Sequence, residues 1–164
     1  MITLREASYE DCELIRAMAQ KSFPATYASI LTREQISYMM EMMYSADAVR
    51  SQFDDGHRYF IAFYDGEPCG YVSIQQQVAD LFHLHKIYVV PEFQGRKVGG
   101  ALFDEAVKRI KEMHPGHCRI ELNVNRFNKA LGFYEHKGMR RLREGDFPIG
   151  NGYFMNDYIM GLEI

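Results

Sequence analysis

Hydrophobic and polar positions alternate along this chain in two different rhythms. After Thr32 apolar residues return every three or four positions, and from Val98 they do so again until Pro115 ends the pattern. That spacing predicts amphipathic helices, whereas strict alternation in residues 118–124 predicts a half-buried strand. The complete prediction has strands over residues 2–5, 59–64, 69–77, 81–90, 118–124, 139–143 and 153–163, and helices after Ser8 and Thr32, from Val98, and over residues 128–137.

Short local signals separate these elements. Thr32 with Gln35 has the pattern of a helix capping box, Asp65-Gly66 is typical of a hairpin turn, and Gly138 is placed to cap the last helix. The order strand, glycine-rich loop, helix, strand in residues 81–124 predicts a βαβ unit. Since no linker, low-complexity segment or internal repeat divides the chain, we expect one α/β domain with a mixed sheet.

Composition restricts the class of protein. Of the 164 residues, 47% are hydrophobic and 25% charged, which is typical of a soluble globular domain. No apolar run could cross a bilayer and the N-terminus lacks the apolar core of a signal peptide, so a cytoplasmic protein is predicted. A net charge of -3 argues against a general nucleic-acid binder. The three separated cysteines, Cys12, Cys69 and Cys118, predict free thiols rather than disulfides or a zinc cluster.

The segment IYVVPEFQGRKVGGALF, residues 87–103, places two glycines where a helix should begin. Glycine costs about 1 kcal/mol relative to alanine inside a helix, so Gly99 and Gly100 need another reason. Free N–H groups at a helix N-terminus bind phosphate, and glycine lets a bulky anion approach them. Arg96 and Lys97 add positive charge. The alternative is a surface turn with solvated cations; neither P-loop nor Rossmann glycine spacing is present.

Together with LNVNRFNKALGFYEHKGM, residues 122–139, this segment resembles the GCN5-related N-acetyltransferase (GNAT) superfamily. The family pattern is Gln or Arg, two residues, Gly, one residue, then Gly or Ala. Gln94 and Gly99 match its ends, whereas Lys97 stands in place of its first glycine. The resemblance implies one N-acetyltransferase domain over residues 1–164, with a mixed, mostly antiparallel twisted sheet of about seven strands, splayed central strands and flanking helices.

The resemblance also implies acetyl-coenzyme A as cosubstrate, with no metal. Its pyrophosphate would lie against amides of the glycine loop and its pantetheine arm along the preceding strand, where a bulge would direct the Val89 amide at the thioester oxygen. Asn128 is the implied coenzyme-contacting asparagine, with Asn125 as the alternative. The implied coenzyme-binding residues are Ile87, Tyr88, Val89, Gln94, Gly95, Arg96, Lys97, Val98, Gly99, Gly100, Asn125 and Asn128.

Tyr134 aligns with the general acid of the family, whose phenol protonates the departing thiolate. With an ordinary pKa of about 10, a phenol stays protonated at neutral pH; the alternative is a packed tyrosine with a solvated hydroxyl. The attacking amine must be neutral, and His83, His85 or Glu121 could act as base, directly or through water. Each could equally hold a structural hydrogen bond, and a metal pair of the two histidines has no evident third ligand.

The acceptor pocket is implied to come from the first two helices and the last strands. Tyr27, Tyr38, Asp146 and Asp157 are the candidates there for binding a cationic amine, with core packing and surface charge as the equal alternative. Residues 23–45 also resemble the PaiA-type branch, which acetylates polyamines.

The function predicted from these residues is acetyl transfer to a primary amine of a small molecule, by direct attack of the amine. Acylation of a protein or peptide amine and a non-catalytic acyl-CoA-binding module are the alternatives. We expect no nucleic-acid or membrane partner, and a homodimer stays open. The sequence does not identify the amine.

Overall fold

One sheet of seven strands runs through the molecule, and the computed structural model describes every residue from Met1 to Ile164. The strands are β1 (Ile2–Glu6), β2 (Arg58–Tyr64), β3 (Glu67–Val78), β4 (Leu81–Val89), β5 (Arg119–Asn125), β6 (Arg140–Gly150) and β7 (Tyr153–Glu163). The helices are α1 (Cys12–Tyr27), α2 (Arg33–Tyr44), α3 (Ala46–Asp54), α4 (Val98–Met113) and α5 (Leu131–His136). Single turns of 3-10 helix span Tyr9–Asp11 and Pro91–Phe93.

The strand order is β1-β2-β3-β4-β5-β7-β6. Only β4 and β5 are parallel, and α4 connects them; the other neighbouring pairs are antiparallel. The mixed, mostly antiparallel sheet and the βαβ unit predicted from the sequence are confirmed.

The sequence prediction is wrong in three places. It contains no α3, because that helix is only nine residues long and Val49 is its only fully buried residue. It ends β6 at Arg143, whereas the strand continues to Gly150, because its mostly exposed residues show little hydrophobic alternation. It starts the last helix at Asn128, whereas α5 begins at Leu131.

The sheet separates two hydrophobic cores. On one face α4 and α5 pack on the central strands, where Leu102 and Ile110 of α4 meet Ile120 of β5 in one buried cluster. On the other face α1, α2 and α3 cover β2 and β3, and Ile15 of α1 and Met39 of α2 are buried there. None of the helices has both the length and the hydropathy needed to cross a membrane.

β4 and β5 separate soon after they pair. Their parallel pairing covers only Leu81–His83 against Arg119–Glu121. Beyond these residues β4 keeps its partner β3, and β5 keeps its partner β7, so a gap opens inside the sheet. The splayed central strands that the resemblance implies are confirmed.

A β-bulge lies in β4 at the start of this gap. Ser73 of β3 pairs with Lys86, and the next residue, Ile74, pairs with Leu84, so His85 is the extra residue. The bulge breaks the alternation of side chains, so that His85 and Lys86 both lie toward the face that α1, α2 and α3 cover. The resemblance also implies a bulge in this strand, and the structure confirms it.

Candidate active site

A cavity of about 570 Å³ opens where β4 and β5 separate. Its walls are the edge of β4, the first turn of α4, the end of β5, the segment around α5 and the C-terminal part of α1. The predicted site residues that line it are Tyr27, His85, Ile87, Tyr88, Val89, Gln94, Gly95, Lys97, Val98, Gly99, Gly100, Asn128 and Tyr134. A second groove, between α1 and α2, contains none of the predicted site residues.

One edge of β4 faces the cavity with unpaired backbone groups. The N–H of Val90 donates to the carbonyl of Cys69 on β3 at 2.8 Å, and successive residues of an antiparallel strand alternate between facing and avoiding the partner. The N–H groups of Val89 and Ile87 therefore face away from β3, toward the gap that β5 leaves. An extended ligand could pair with them as an added strand would.

The loop between β4 and α4 contains two residues in the left-handed conformation. Gly95 has φ 81°, and Lys97 has φ 66° and ψ 17°. Lys97 thus adopts the conformation expected of the glycine it replaces in the family pattern, at a cost of about 1–2 kcal/mol for a non-glycine residue. The departure from the pattern changes the side chain and preserves the backbone path.

α4 begins with N–H groups that have no partner within the helix. Its first turn closes with the bond from the N–H of Ala101 to the carbonyl of Lys97, at 3.2 Å. The N–H groups of Val98, Gly99 and Gly100 precede that bond, and all three residues line the cavity. They form a partially positive end that suits a phosphate.

The two glycines are not required by the packing of the protein itself. A Cβ on Gly99 would lie 3.8 Å from the ring of Phe133, and one on Gly100 would lie 3.6 Å from Nζ of Lys137, both ordinary contacts. Neither glycine has a positive φ. Since neither conformation nor internal packing calls for glycine, close approach of a ligand to the helix start is the remaining reason.

The charge of the cavity walls also suits an anion. Lys97 and Lys129 line it, and no Asp or Glu side chain does. Arg96, predicted to bind the coenzyme, does not line the cavity; its guanidinium lies 5.1 Å from the ring centroid of Tyr64 and 5.4 Å from that of Phe93.

Tyr134 lies on α5 and is nearly fully buried against the cavity. Gly138, with φ 98°, ends α5 in a Schellman motif: its N–H donates to Glu135, and the N–H of Met139 donates to the carbonyl of Tyr134, both within 3.1 Å. This cap fixes the end of the short helix that carries the phenol. Burial raises the pKa of Tyr134, so the hydroxyl keeps its proton at neutral pH.

The two candidate asparagines have different surroundings. Asn125 is buried, and its Oδ1 accepts the backbone N–H of Phe127 at 2.9 Å, which shapes the loop after β5. Asn128 lines the cavity, and its Oδ1 accepts the N–H of Ala130 at 2.8 Å. The Nδ2 of Asn128 is therefore the group of this pair available to a ligand in the cavity.

Three imidazoles lie together beside the bulge, with His57 stacked on His85 and His83 tilted against it. The ring of His85 lies 4.3 Å from that of His57 and 4.4 Å from that of His83, centroid to centroid. Burial lowers the pKa of His85 to about 3 and that of His57 to about 4, and it lowers the pKa of His83 as well. All three are neutral at pH 7, and only His85 lines the cavity. His57, in the loop after α3, was not among the predicted site residues.

The tautomer of His85 follows from its neighbour Gln75. The Nε2 of Gln75 donates to the backbone carbonyl of Asp55 at 2.8 Å, so its Oε1 is the atom that faces Nε2 of His85, also at 2.8 Å. An amide oxygen only accepts, so Nε2 of His85 carries the proton and Nδ1 holds the free lone pair.

Glu121 lies on β5 opposite His83, outside the cavity. Its carboxylate accepts from Arg143 at 2.9 Å and from Arg119 at 3.3 Å. Burial acts to raise its pKa, but the hydrogen bonds from Arg143 and Arg119 outweigh this, and the pKa lies below its ordinary value. The structure therefore places this carboxylate in an ion-pair network beside the imidazoles.

The predicted acceptor-binding residues fall into two groups. Tyr27 lines the cavity, with its hydroxyl 3.3 Å from that of Tyr88, and Asp157 of β7 is fully buried nearby. Tyr38 and Asp146 do not line the cavity. The hydroxyl of Tyr38 donates to the carbonyl of Ile149 at 2.6 Å, and Asp146 pairs with the guanidinium of Arg126 at 2.7 Å.

Sequence reasoning missed several polar residues of this site, among them Lys129, Asn123 and Lys86. Asn123 lines the cavity from β5, and its alternation with Leu122 and Val124 could have indicated a polar residue on the splayed strand. Lys86 is buried, with Nζ 2.7 Å from Oε1 of Gln52 and 2.6 Å from the hydroxyl of Tyr59, and burial lowers its pKa to about 7. No sequence signal predicts Lys86, because the bulge decides which way it faces.

A splayed sheet with a glycine-rich helix start and a buried phenol at the gap is the architecture of an acetyltransferase domain. The model of the family "Acetyltransferase (GNAT) domain" matches residues 27–150. The chain therefore belongs to the GNAT family of N-acetyltransferases.

Individual relatives have related activities. A spermidine N(1)-acetyltransferase of Thermoplasma acidophilum is 31% identical over 145 residues, which cover 85% of this chain and 88% of the relative. The crystal structure of the PaiA N-acetyltransferase from Thermoplasma acidophilum in complex with coenzyme A has a TM-score of 0.76 at 27% identity, covering 100% of this chain and 99% of that one.

The fold extends to more distant enzymes. The ribosomal-protein-S18-alanine N-acetyltransferase from Escherichia coli has a TM-score of 0.74 at 20% identity, and covers 100% of this chain and 94% of its own. At that identity the similarity concerns the fold.

Proposed function

We propose that this chain transfers an acetyl group from acetyl-coenzyme A to a primary amine of a small molecule, with polyamines as the substrate class. The observation that carries the proposal is the position of Tyr134. Its phenol lines the same cavity as the free amides of β4 and of the α4 start. Transfer from a thioester needs a proton donor for the leaving thiolate and hydrogen-bond donors for the carbonyl oxygen.

The coenzyme would occupy the side of the cavity formed by β4 and α4. Its phosphates suit the free N–H groups of the α4 start and the ammonium groups of Lys97 and Lys129. Its pantetheine arm suits the N–H groups of Ile87 and Val89 on the open edge of β4. The coenzyme A in the related Thermoplasma structure supports this assignment.

The reaction then uses Tyr134 as general acid. The amine nitrogen attacks the thioester carbonyl carbon, whose oxygen accepts the N–H of Val89. The carbon–nitrogen bond forms, the carbon–sulfur bond breaks, and the thiolate takes the phenolic proton of Tyr134. The raised pKa of Tyr134 keeps that proton available across the physiological range.

The proton that the amine loses would leave by way of the imidazoles. Among His83, His85 and Glu121, only His85 lines the cavity. Its pKa of about 3 makes its Nδ1 a weak base, so we expect His85 to orient a water that carries the proton away rather than to hold it. His83 and Glu121 do not line the cavity and would act only through that water.

The acceptor would enter from the α1 side of the cavity. Tyr27 offers an aromatic wall there, and Asp157, buried behind the cavity-lining Asn123, adds a negative charge to that side. The similarity to a spermidine N(1)-acetyltransferase supports a polyamine, which carries alkylammonium groups, as the acceptor.

The proposed function is tested by free-thiol release from acetyl-CoA. The panel comprises spermidine, spermine, putrescine, amino acids, aminoglycosides, and peptides with a free N-terminus or lysine. We expect saturable turnover with polyamines, with the acetylated product identified by mass spectrometry. Preference for a peptide would replace the small-molecule proposal with protein acylation. Binding of CoA without turnover on any amine would replace it with a non-catalytic module.

A further inference from the structure

Asn123 occupies a particular place at the fork between β4 and β5. Glu121 is the last residue of β5 that pairs with β4, so Asn123 is the next residue of the same face, where β5 pairs only with β7. Its side chain is exposed to the cavity. An acceptor amine approaching a thioester held on β4 must pass this position.

The orientation of the Asn123 amide is fixed by Asp157. The Nδ2 of Asn123 donates to Oδ2 of Asp157 at 3.3 Å. The opposite orientation would set the amide oxygen against the carboxylate, which is repulsive. The carbonyl Oδ1 of Asn123 is therefore turned away from Asp157 and left free to accept a hydrogen bond.

The surroundings of Asp157 are unusual for a carboxyl group. Its side chain makes only one hydrogen bond, the one from Asn123. It is fully buried, and its Oδ1 has no hydrogen-bond partner. Burial raises its pKa, and the hydrogen bond from Asn123 and the charge of Arg126 only partly oppose this. Arg126 itself is paired with Asp146 at 2.7 Å. A buried carboxyl group without a strong partner destabilises a fold, so a role outside folding is called for.

We propose that Oδ1 of Asn123 binds an N–H of the acceptor amine, with Asp157 as the positioning residue that presents this oxygen and adds a negative charge behind it. The site takes a primary alkylammonium ion or the amine that it becomes. As the ammonium loses a proton, a second N–H keeps the bond to Asn123, and the nitrogen lone pair turns toward the thioester carbon. The inference rests on the proposed acetyl transfer and adds the residue pair that recognises the acceptor.

The first test is Asn123→Ala, assayed with spermidine and acetyl-CoA. We expect kcat/KM for spermidine to fall about tenfold or more, as for the loss of a hydrogen bond to a charged group, with KM for acetyl-CoA unchanged. The control is Asn156→Ala, the same change on β7 at a position that faces the opposite side of the sheet and does not line the cavity. Equal kcat/KM in Asn123→Ala and wild type would overturn the proposal.

The second test separates positioning from stability. Asp157→Asn removes the buried charge and lets either end of the new amide face Asn123, so the orientation of Asn123 is no longer fixed. We expect kcat/KM for spermidine to fall about tenfold while Tm at pH 7 stays equal or rises. A lower Tm with normal kinetics would show that Asp157 is structural and would overturn its assigned role.

A direct binding measurement distinguishes failure of this inference from failure of the proposed function. If the wild-type protein releases no thiol with any amine, the proposed function fails. Spermidine is then titrated into the CoA-bound protein while the side-chain amide resonance of Asn123 is followed by NMR. A saturable shift that Asp157→Asn weakens would support the acceptor site; an unmoved resonance would overturn it.

Discussion

The two sides of the cavity are built in different ways. The proposed coenzyme side consists mainly of backbone N–H groups from β4 and the start of α4, within residues 87–100. The acceptor side consists of side chains from α1, β4, β5 and β7, which are distant in the chain: Tyr27, His85, Asn123 and Asp157. In the proposed function a contiguous segment binds the coenzyme, whereas residues from separate elements bind the acceptor.

This difference explains how one fold can serve many acceptors. Phosphate and pantetheine are recognised through amides that any sequence with the correct backbone supplies, so side chains can change there at small cost. An amine at the acceptor side is recognised through individual side chains, so single substitutions change specificity. If the two sides are independent, a substitution on one side should leave binding at the other side unchanged.

The largest effect is expected at the junction of the two sides. Tyr134→Phe removes only the hydroxyl, so we expect kcat to fall about 10²-fold or more with nearly normal CoA affinity. Single-turnover acetyl transfer should be measured as well, because slow product release would hide part of the defect. Wild-type single-turnover rates in this variant would remove Tyr134 as the acid. Because its pKa is raised, no alkaline loss of activity through Tyr134 is expected below pH 10.

On the coenzyme side, Gly99→Val should weaken CoA binding strongly while the domain stays folded. The branched side chain covers the amides of the α4 start, and losing one bond to phosphate, at about 1.5–3 kcal/mol, corresponds to a Kd that is about tenfold to 150-fold weaker. Calorimetry with CoA measures it. Gly132→Val is the control, in a helix and with no atom near its added Cβ. Unchanged affinity in Gly99→Val would place the phosphates elsewhere.

Substitutions of Asn128 and Asn125 should have different effects, mainly on coenzyme binding for Asn128 and mainly on stability for Asn125. We expect Asn128→Ala to raise KM for acetyl-CoA about fivefold to tenfold, because it removes the Nδ2 that lines the cavity. Each variant removes the acceptor for one backbone N–H, but Asn125 is buried and does not line the cavity, so we expect Asn125→Ala to lower Tm more and to change KM less. Steady-state kinetics and thermal unfolding of both variants decide. The reverse ranking would exchange their roles.

The neutral imidazoles beside the acceptor side, His57 stacked on His85, should affect how the free energy of unfolding depends on pH. His57 has a pKa of about 4 in the folded protein, against an ordinary 6.5, so the unfolded state binds more protons between these values. Its contribution to stability is therefore present above pH 6.5 and is lost as pH falls toward 4. We expect His57→Gln to reduce proton uptake on unfolding at pH 5.5 by about one. The slope of the free energy of unfolding with pH measures it, and an unchanged slope would contradict the neutral cluster.

The smallest effect is expected from Lys97→Gly, which keeps the backbone N–H and removes the cation. Glycine adopts the left-handed conformation of this position without strain, so we expect stability to rise by about 0.5–1 kcal/mol after the entropy of the unfolded glycine is counted. CoA affinity should fall only a few fold, and less at high salt. Denaturant unfolding and calorimetry at two salt concentrations measure both. A large loss of affinity would mean that the side chain, and not the backbone, holds the phosphate.

Most strands could be read from the sequence because each has a buried face. β5 alternates core and polar residues, and its predicted bounds, 118–124, nearly match Arg119–Asn125. α3 and the outer half of β6 were not predicted, because a nine-residue helix with one fully buried residue and a strand with mostly exposed residues contain too few buried positions to define a pattern.

The sequence by itself determined the coenzyme side of the cavity. Glycines, a helix start and the preceding strand are local features, so residues 87–100 predict both their conformation and their ligand. The conformation of Lys97 was not predicted, because the residue type alone does not indicate its positive φ of 66°.

Only the tertiary structure decided the acceptor side. The bulge at His85 sets which side chains of β4 face α1, the splay exposes Asn123, and the pairing of β5 with β7 brings Asp157 against it. None of these depends on neighbours in sequence. Side-chain direction in a sheet follows from register and bulges. These arise when strands from distant parts of the chain pair, and hydrophobic periodicity does not show which strands pair or in what register.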